Sequence, residues 1–260
     1  MRSLAFVLLL GVAACASQPP VDHGASPGKS TIVSSLIDLA VADAARPQTD
    51  RDLDVYRKPA EMLAFGEVKP FERIGELIPG GGYMTRLFSK SIGSTGKLYV
   101  FASAPVAREG QPPPPAPIAA IVADKTNYPN VSVVITDFTA IPTPEPLDLV
   151  WTSQNYHDMH NPGRNLDINA ANKAIFAALK PGGLYIVLDH NAGPGVTFNA
   201  ALHRIDPDLV KKEVLAAGFE FVGESKVLAN PADPHDKTVF DPSIRHKTDQ
   251  FILKFRRPKK

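Results

Sequence analysis

Short apolar runs alternate with stretches of helical period along most of this chain. Phe71–Ile78 reads as a strand that runs straight into Pro79-Gly80-Gly81-Gly82. Tyr83–Ser91 then sets Met84, Leu87 and Phe88 on one helical face and stops at Gly93. Lys97–Ala102, opened by Gly96, is a second strand, Ile118–Ala123 a short helix, and Val131–Ile135 a third strand of β-branched residues that leads to Asp137. Pro146–Thr152 is a fourth strand. Asn169–Leu179 is a helix closed by Lys180-Pro181-Gly182-Gly183, and Leu184–Leu188 is a fifth strand ending at Asp189-His190. Pro207–Ala217 is a helix capped by Gly218, after which Phe219–Val222 and Gln250–Phe255 close the chain as strands. Helices between successive strands predict an α/β domain with a seven-stranded, mostly parallel sheet covered on both faces. The last two strands have no helix between them and predict an antiparallel final strand. Upstream, Arg51–Phe65 reads as helix, with Pro59 at a kink or a new first turn and Gly66 as its C-cap.

The first residues follow another pattern. Met1-Arg2 is followed by an apolar run, Leu4–Ala14, far short of the roughly 20 residues a membrane span needs. A short apolar stretch behind a positive charge is the layout of an export signal. Val12-Ala13-Ala14-Cys15 resembles the bacterial lipobox, which implies a lipid on Cys15 and a periplasmic lipoprotein anchored to a bacterial membrane. An ordinary signal peptide cleaved near Ala16 is the other reading of the same residues. Ala16–Gly28 is rich in Pro, Ser and Gly and reads as a tether, followed by a short amphipathic helix within Ile32–Ala45. The expected organisation is therefore a signal over residues 1–15, a tether and short helix over 16–46, and one domain over 47–260.

Charge and composition narrow the picture. The 260 residues carry 28 basic and 27 acidic side chains, a net charge of +1, which gives no field for a nucleic-acid partner. Cys15 is the only cysteine, so the domain has neither a disulfide nor a thiolate metal site.

Glu76-Leu77-Ile78-Pro79-Gly80-Gly81-Gly82-Tyr83 resembles motif I of the class I S-adenosylmethionine-dependent methyltransferases, an acidic residue before a glycine-rich turn. Glycine lets the backbone come close to a ligand, and the helix that follows offers free N–H groups to a carboxylate. Three further matches follow in order: Asp137-Phe138, Asp148-Leu149-Val150-Trp151 and Leu179-Lys180-Pro181-Gly182-Gly183. The final strand pair resembles the reversed hairpin that separates this family from dehydrogenases. Within the family, Phe240–Arg245 and Lys247–Phe251 resemble an exported group of unknown substrate. The resemblance implies a Rossmann-like fold and S-adenosylmethionine as cofactor, held by Glu76, Gly80, Gly81, Gly82, Tyr83, Asp137, Phe138 and Asn155. It departs at strand two, where the family has a ribose-binding carboxylate and this chain has Ser103, able to make one hydrogen bond.

Strand ends in such folds face the ligand. Strand four runs into Ser153-Gln154-Asn155-Tyr156-His157-Asp158-Met159-His160, strand five into Asp189-His190-Asn191, and His203-Arg204 follows in the next segment. Three uses are open. His157 or His190, with Asp189 and Tyr156, could move a proton from an attacking group. His157, His160, Asp189 and His190 could bind a metal. All of them could be hydrogen-bonded loop residues. Two functions remain: methyl transfer to an unknown small molecule, or a repurposed non-catalytic binding protein on the same fold.

Overall fold

A computed structural model describes residues 29–104 and 118–260. The signal, tether and Cys15 readings lie outside the described residues. The elements in chain order are α1 (Lys29–Val41), α2 (Gln48–Arg51), α3 (Asp54–Arg57), α4 (Pro59–Phe65), β1 (Arg73–Leu77), α5 (Tyr83–Ile92), β2 (Lys97–Ala102), α6 (Ala119–Ala123) and β3 (Val131–Ile135). They continue with β4 (Leu147–Ser153), α7 (Tyr156–Met159), α8 (Ile168–Ala178), β5 (Leu179–His190), β6 (Phe198–Asn199), β7 (Arg204–Ile205), α9 (Pro207–Ala216), β8 (Glu220–Ser225) and β9 (Gln250–Arg256).

Seven strands form one sheet in the order β3-β2-β1-β4-β5-β9-β8. The first five run parallel, and β9 runs antiparallel between β5 and β8. The expected seven-stranded sheet with a reversed last strand is thus the observed one. A separate two-stranded ribbon, β6–β7, was not foreseen.

Strand period sorts the core onto the two faces. Ile74, Leu98, Val100, Leu149, Trp151, Ile186 and Ile252 meet α1, α4, α5 and α6 in one cluster. Leu77, Phe101, Val150, Tyr185, Leu253 and Phe255 meet α7, α8 and α9 in the other. Trp151 is wholly buried and meets Phe88 edge-on at 5.4 Å.

Three local differences have physical causes. The helix expected over Arg51–Phe65 breaks at Pro59, which opens α4 as the new first turn expected of it behind Lys58 in the left-handed region at φ 48, and breaks again, unforeseen, between α2 and α3. The Lys180–Gly183 turn is absorbed into a 12-residue strand: Leu147 pairs with Leu179, the register shifts, and Leu149 pairs with Leu184. In α1 the inward stripe is Val33, Ile37 and Ala40, while Leu39 points out at 66% exposure. Read above as a helix behind a tether, α1 packs on α4 and α5 as part of the body.

Candidate functional site

A cavity of about 250 Å³ opens at the carboxyl ends of β1 and β4. Its floor is the turn Glu76–Gly81 and its far wall Ser153, Gln154 and Asn155; Asp50, Leu53 and Arg57 of the preceding helices roof it. The turn is shaped for close approach. A Cβ built on Gly80 or Gly81 would meet nothing within 4 Å, and Gly80 sits at φ 54. Gly82 serves a different need: at φ 80, its Cβ would collide with Ile121 of α6, so it lets α5 start tightly beneath that helix.

Glu76 is 3% exposed and accepts from Thr85 Oγ1 at 2.5 Å. Burial pushes its carboxyl up to about 8, against the pull of that hydrogen bond and of Arg86. Tyr83 donates from its hydroxyl to Asp54 Oδ1 at 2.6 Å, and the same oxygen takes Arg46 at 2.6 Å. The Arg57 guanidinium lies 4.5 Å over the Tyr83 ring and, among the described residues, has no hydrogen bond or ion pair. Burial pushes it down from its ordinary value despite the nearby Tyr83, Asp50 and Asp54. Asn155 donates to the Ile78 carbonyl at 2.9 Å and to the Ser153 carbonyl, which ties the β4 exit to the β1 turn. Arg57 was missed in the sequence because it precedes the sheet; an arginine directly before a helix-breaking Lys-Pro carries no motif.

The remaining cofactor candidates stand elsewhere. Ser103 is exposed just beyond β2. Asp137 is exposed and spends one oxygen on the N–H and hydroxyl of Thr139, which hold its carboxyl below the usual range. Phe138 is 3% exposed and belongs to the core around Leu77 and Phe101.

A second group forms where β4 and β5 end. Asp189 is sealed at 0% exposure. It accepts from the His157 backbone N–H at 2.8 Å and meets His157 Nδ1 at 2.7 Å. The His157 Nε2 then lies 3.2 Å from His203 Nδ1 and 3.5 Å from Asp158 Oδ1. Burial opposes charge on His157, but Asp189 and its hydrogen bond outweigh that and hold the ring above its ordinary value. For Asp189, burial raises the carboxyl and His157 more than reverses it.

His190 joins this group only from the side. Its ring is 6.1 Å from that of His157, and its Nδ1 meets Thr248 Oγ1 at 2.8 Å. Burial pushes it down to about 4, so it is neutral near pH 7. Thr248 also accepts from Gln250, whose carbonyl takes Gln154 at the cavity wall. Tyr156 does not join: it is wholly buried, donating to Glu213 at 2.9 Å and accepting from Asn172 at 2.8 Å. His160 is bound to the same Glu213 at 3.0 Å, apart from His157. His203 and Asp158, present in the strand-end segments but given no role there, complete the group instead.

No family model matches this chain, and no curated protein matches it by sequence. Solved structures do. A SAM dependent methyltransferase from Aquifex aeolicus aligns over 81% of this chain and 98% of its own, at 14% identity and TM-score 0.56. The [4+2]-cyclase SpnF aligns over 90% of this chain and 97% of its own, at 16% identity and TM-score 0.56. The glycopeptide N-methyltransferase MtfA, solved with (S)-adenosyl-L-methionine, aligns over 75% of this chain and 85% of its own, at 12% identity and TM-score 0.50. The described chain has the Rossmann-like fold of the class I S-adenosylmethionine-dependent methyltransferases.

Proposed function

We propose that this domain binds S-adenosylmethionine at the glycine turn and transfers its methyl group to a small-molecule acceptor beyond the ends of β4 and β5. The observation that carries the reading is the cavity between open Gly80–Gly81 and the unpartnered Arg57. A guanidinium and the N-terminal N–H groups of α5 suit a carboxylate such as that of a methionine moiety. When bound there, the cofactor would supply an electrophilic methyl group for the lone pair of an acceptor, with its sulfonium sulfur keeping the C–S electrons.

The chain's own residues bind and orient. Arg57 pairs the carboxylate, and Tyr83 beneath it is fixed by Asp54. Asn155 holds the β4 exit against the turn, and Glu76 is the uncharged floor of the cavity near neutral pH. Ser103, exposed beyond β2 and outside the cavity lining, would offer a ribose that reaches it one hydroxyl, where a carboxylate would offer two charge-assisted bonds.

That weak ribose end favours a second reading, a repurposed binding protein on this fold. SpnF, a [4+2]-cyclase, shares the architecture, and fold does not fix chemistry. Titration calorimetry with S-adenosylmethionine and S-adenosylhomocysteine separates the two. Methyl transfer requires binding of both. Gly80→Val and Arg57→Ala should each weaken it at least about tenfold, or about 1.4 kcal/mol, while circular dichroism stays that of the wild type. A folded wild-type protein that binds neither nucleotide moves the assignment to the binding-protein reading.

Export and lipid attachment at Cys15 belong to the same proposal and put the domain in the periplasm, anchored to a bacterial membrane. Cys15→Ser should abolish lipid labelling in a bacterial host and move the protein from the membrane to the soluble fraction. Membrane fractionation unchanged by the substitution would remove the anchor.

A further inference from the structure

We propose that His157 Nε2, Asp158 Oδ1 and His203 Nδ1 form a binding site for one divalent transition-metal ion, with zinc the best match. The three atoms make a triangle with edges of 3.2, 3.5 and 3.6 Å. Tetrahedral zinc with bonds of about 2.1 Å separates its ligand atoms by about 3.4 Å, so the triangle has the size of one face of such a site. An octahedral ion would need bonds of about 2.4 Å to span the same triangle, longer than first-row metals make to imidazole. Calcium accepts bonds of that length but takes oxygen ligands, and two of these three donors are imidazole nitrogens.

The second observation lies behind His157. A ligating histidine is typically fixed by a carboxylate on its other ring nitrogen, which sets the tautomer and raises the basicity of the metal-facing nitrogen. Asp189 stands in that position at 2.7 Å from Nδ1, wholly buried, and is itself held by the backbone N–H groups of His157 and His190 at 2.8 and 2.7 Å. With Nδ1–H given to Asp189, His157 Nε2 is a bare lone pair. Asp158 is also an acceptor, and His203 Nδ1 can carry one proton for the two of them. A cation satisfies all three at once.

Access differs across the group. The side chains of Asp158 and His203 are 28% and 32% exposed, while Asp189 is closed off. Three protein ligands at the edge of solvent leave room for a fourth, exchangeable one, the layout of zinc sites that bind or polarise a substrate oxygen. The ligands come from α7, directly after β4, and from the left-handed position of His203 at φ 57 in the loop before β7. The inference does not depend on the methyl-transfer reading, since it concerns a separate set of residues.

Cobalt and zinc titrations of the chelator-stripped full chain test it. Cobalt(II) should bind one per chain, give the visible d–d absorption of a four-coordinate nitrogen–oxygen site, and be displaced by zinc. Asparagine tolerates the left-handed backbone, so His203→Asn should keep the fold and weaken cobalt binding at least about tenfold. Asp189→Asn, which leaves all three ligands in place, should weaken it about 10–100-fold. Should His203→Asn fail to fold, Asp158→Asn takes its place with the same expected loss. A hydrogen-bonded triad that takes up no cobalt, or a cobalt spectrum and affinity unchanged in the ligand variant, overturns the proposal. Far-UV circular dichroism serves as the independent readout of folding and should stay that of the wild type in every variant.

Discussion

Asp233→Ala should destabilise the fold by about 3–5 kcal/mol, lowering the melting temperature by about 10 °C. Arg204 and Asp233 face each other in a two-pronged ion pair at 2.9 and 3.0 Å, with both side chains 0% exposed. Burial alone would push the Asp233 carboxyl up; Arg204 and the N–H groups of His235 and Asp249 hold it below the usual range. Removing the carboxylate strands a guanidinium in a dry interior and frees those two N–H groups. It also unpins the segment between β8 and β9, because Arg204 bonds the Lys237 carbonyl at 3.1 Å. The comparison is Asp206→Ala, which removes the N-cap of α9 and should cost about 1 kcal/mol. Thermal and urea unfolding of both variants decide the matter: a loss at Asp233 no larger than that at Asp206 would show that this pair does not hold the segment.

The second large effect is a pH profile. The Glu76 carboxyl titrates near its ordinary 4.5 in the unfolded chain and at about 8 in the fold. Because the folded value is raised, the stabilisation is complete below the unfolded value and is lost as pH rises towards about 8. The difference amounts to about 5 kcal/mol over that window, from about 1.4 kcal/mol for each pH unit. Glu76→Gln removes the ionisation while keeping an oxygen for Thr85. It should be nearly neutral at about pH 5 and more stable than the wild type by several kcal/mol at about pH 9. Urea unfolding at the two pH values reads this directly, and a gap between the proteins that stays constant with pH would refute it.

The sheet was legible because its strands read as short, apolar or β-branched runs set between turn residues. Lys97–Ala102 and Val131–Ile135 have the bounds their pattern predicts. The missed pieces depend on single backbone states or on tertiary pairing. Pro59 marked the break before α4, but the gap between α2 and α3 is a backbone state that no side-chain period encodes. The early start of β5 follows from a bulge opposite Leu147, which only the neighbouring strand imposes.

The candidate sites divide in the same way. Asp189 and His157 were legible because strand ends in this fold converge. The glycine turn was legible because open backbone there needs a residue without a side chain. Tyr156 and Phe138 were not separable from their neighbours by sequence, since both follow strand ends yet turn into the core. Arg57 lies on a segment outside the strand–helix repeat, so nothing in its spacing marked it, and His203 was noted beside the strand ends without anything in its spacing to give it a role.

The roof of the glycine-turn cavity has a mechanical consequence. Arg46, following α1, grips the Val41 carbonyl and Asp54, and Asp54 in turn grips Tyr83 at the mouth of the turn. Peeling α1 and Arg46 away would break these contacts and remove the support of Tyr83 at the cavity. A ligand that bridges Arg57 and the glycine turn would clasp the same contacts from the other side. Occupancy and the force needed to peel the leading helices away are then one linked quantity, and a domain held by its N-terminus would register its ligand as resistance to pulling.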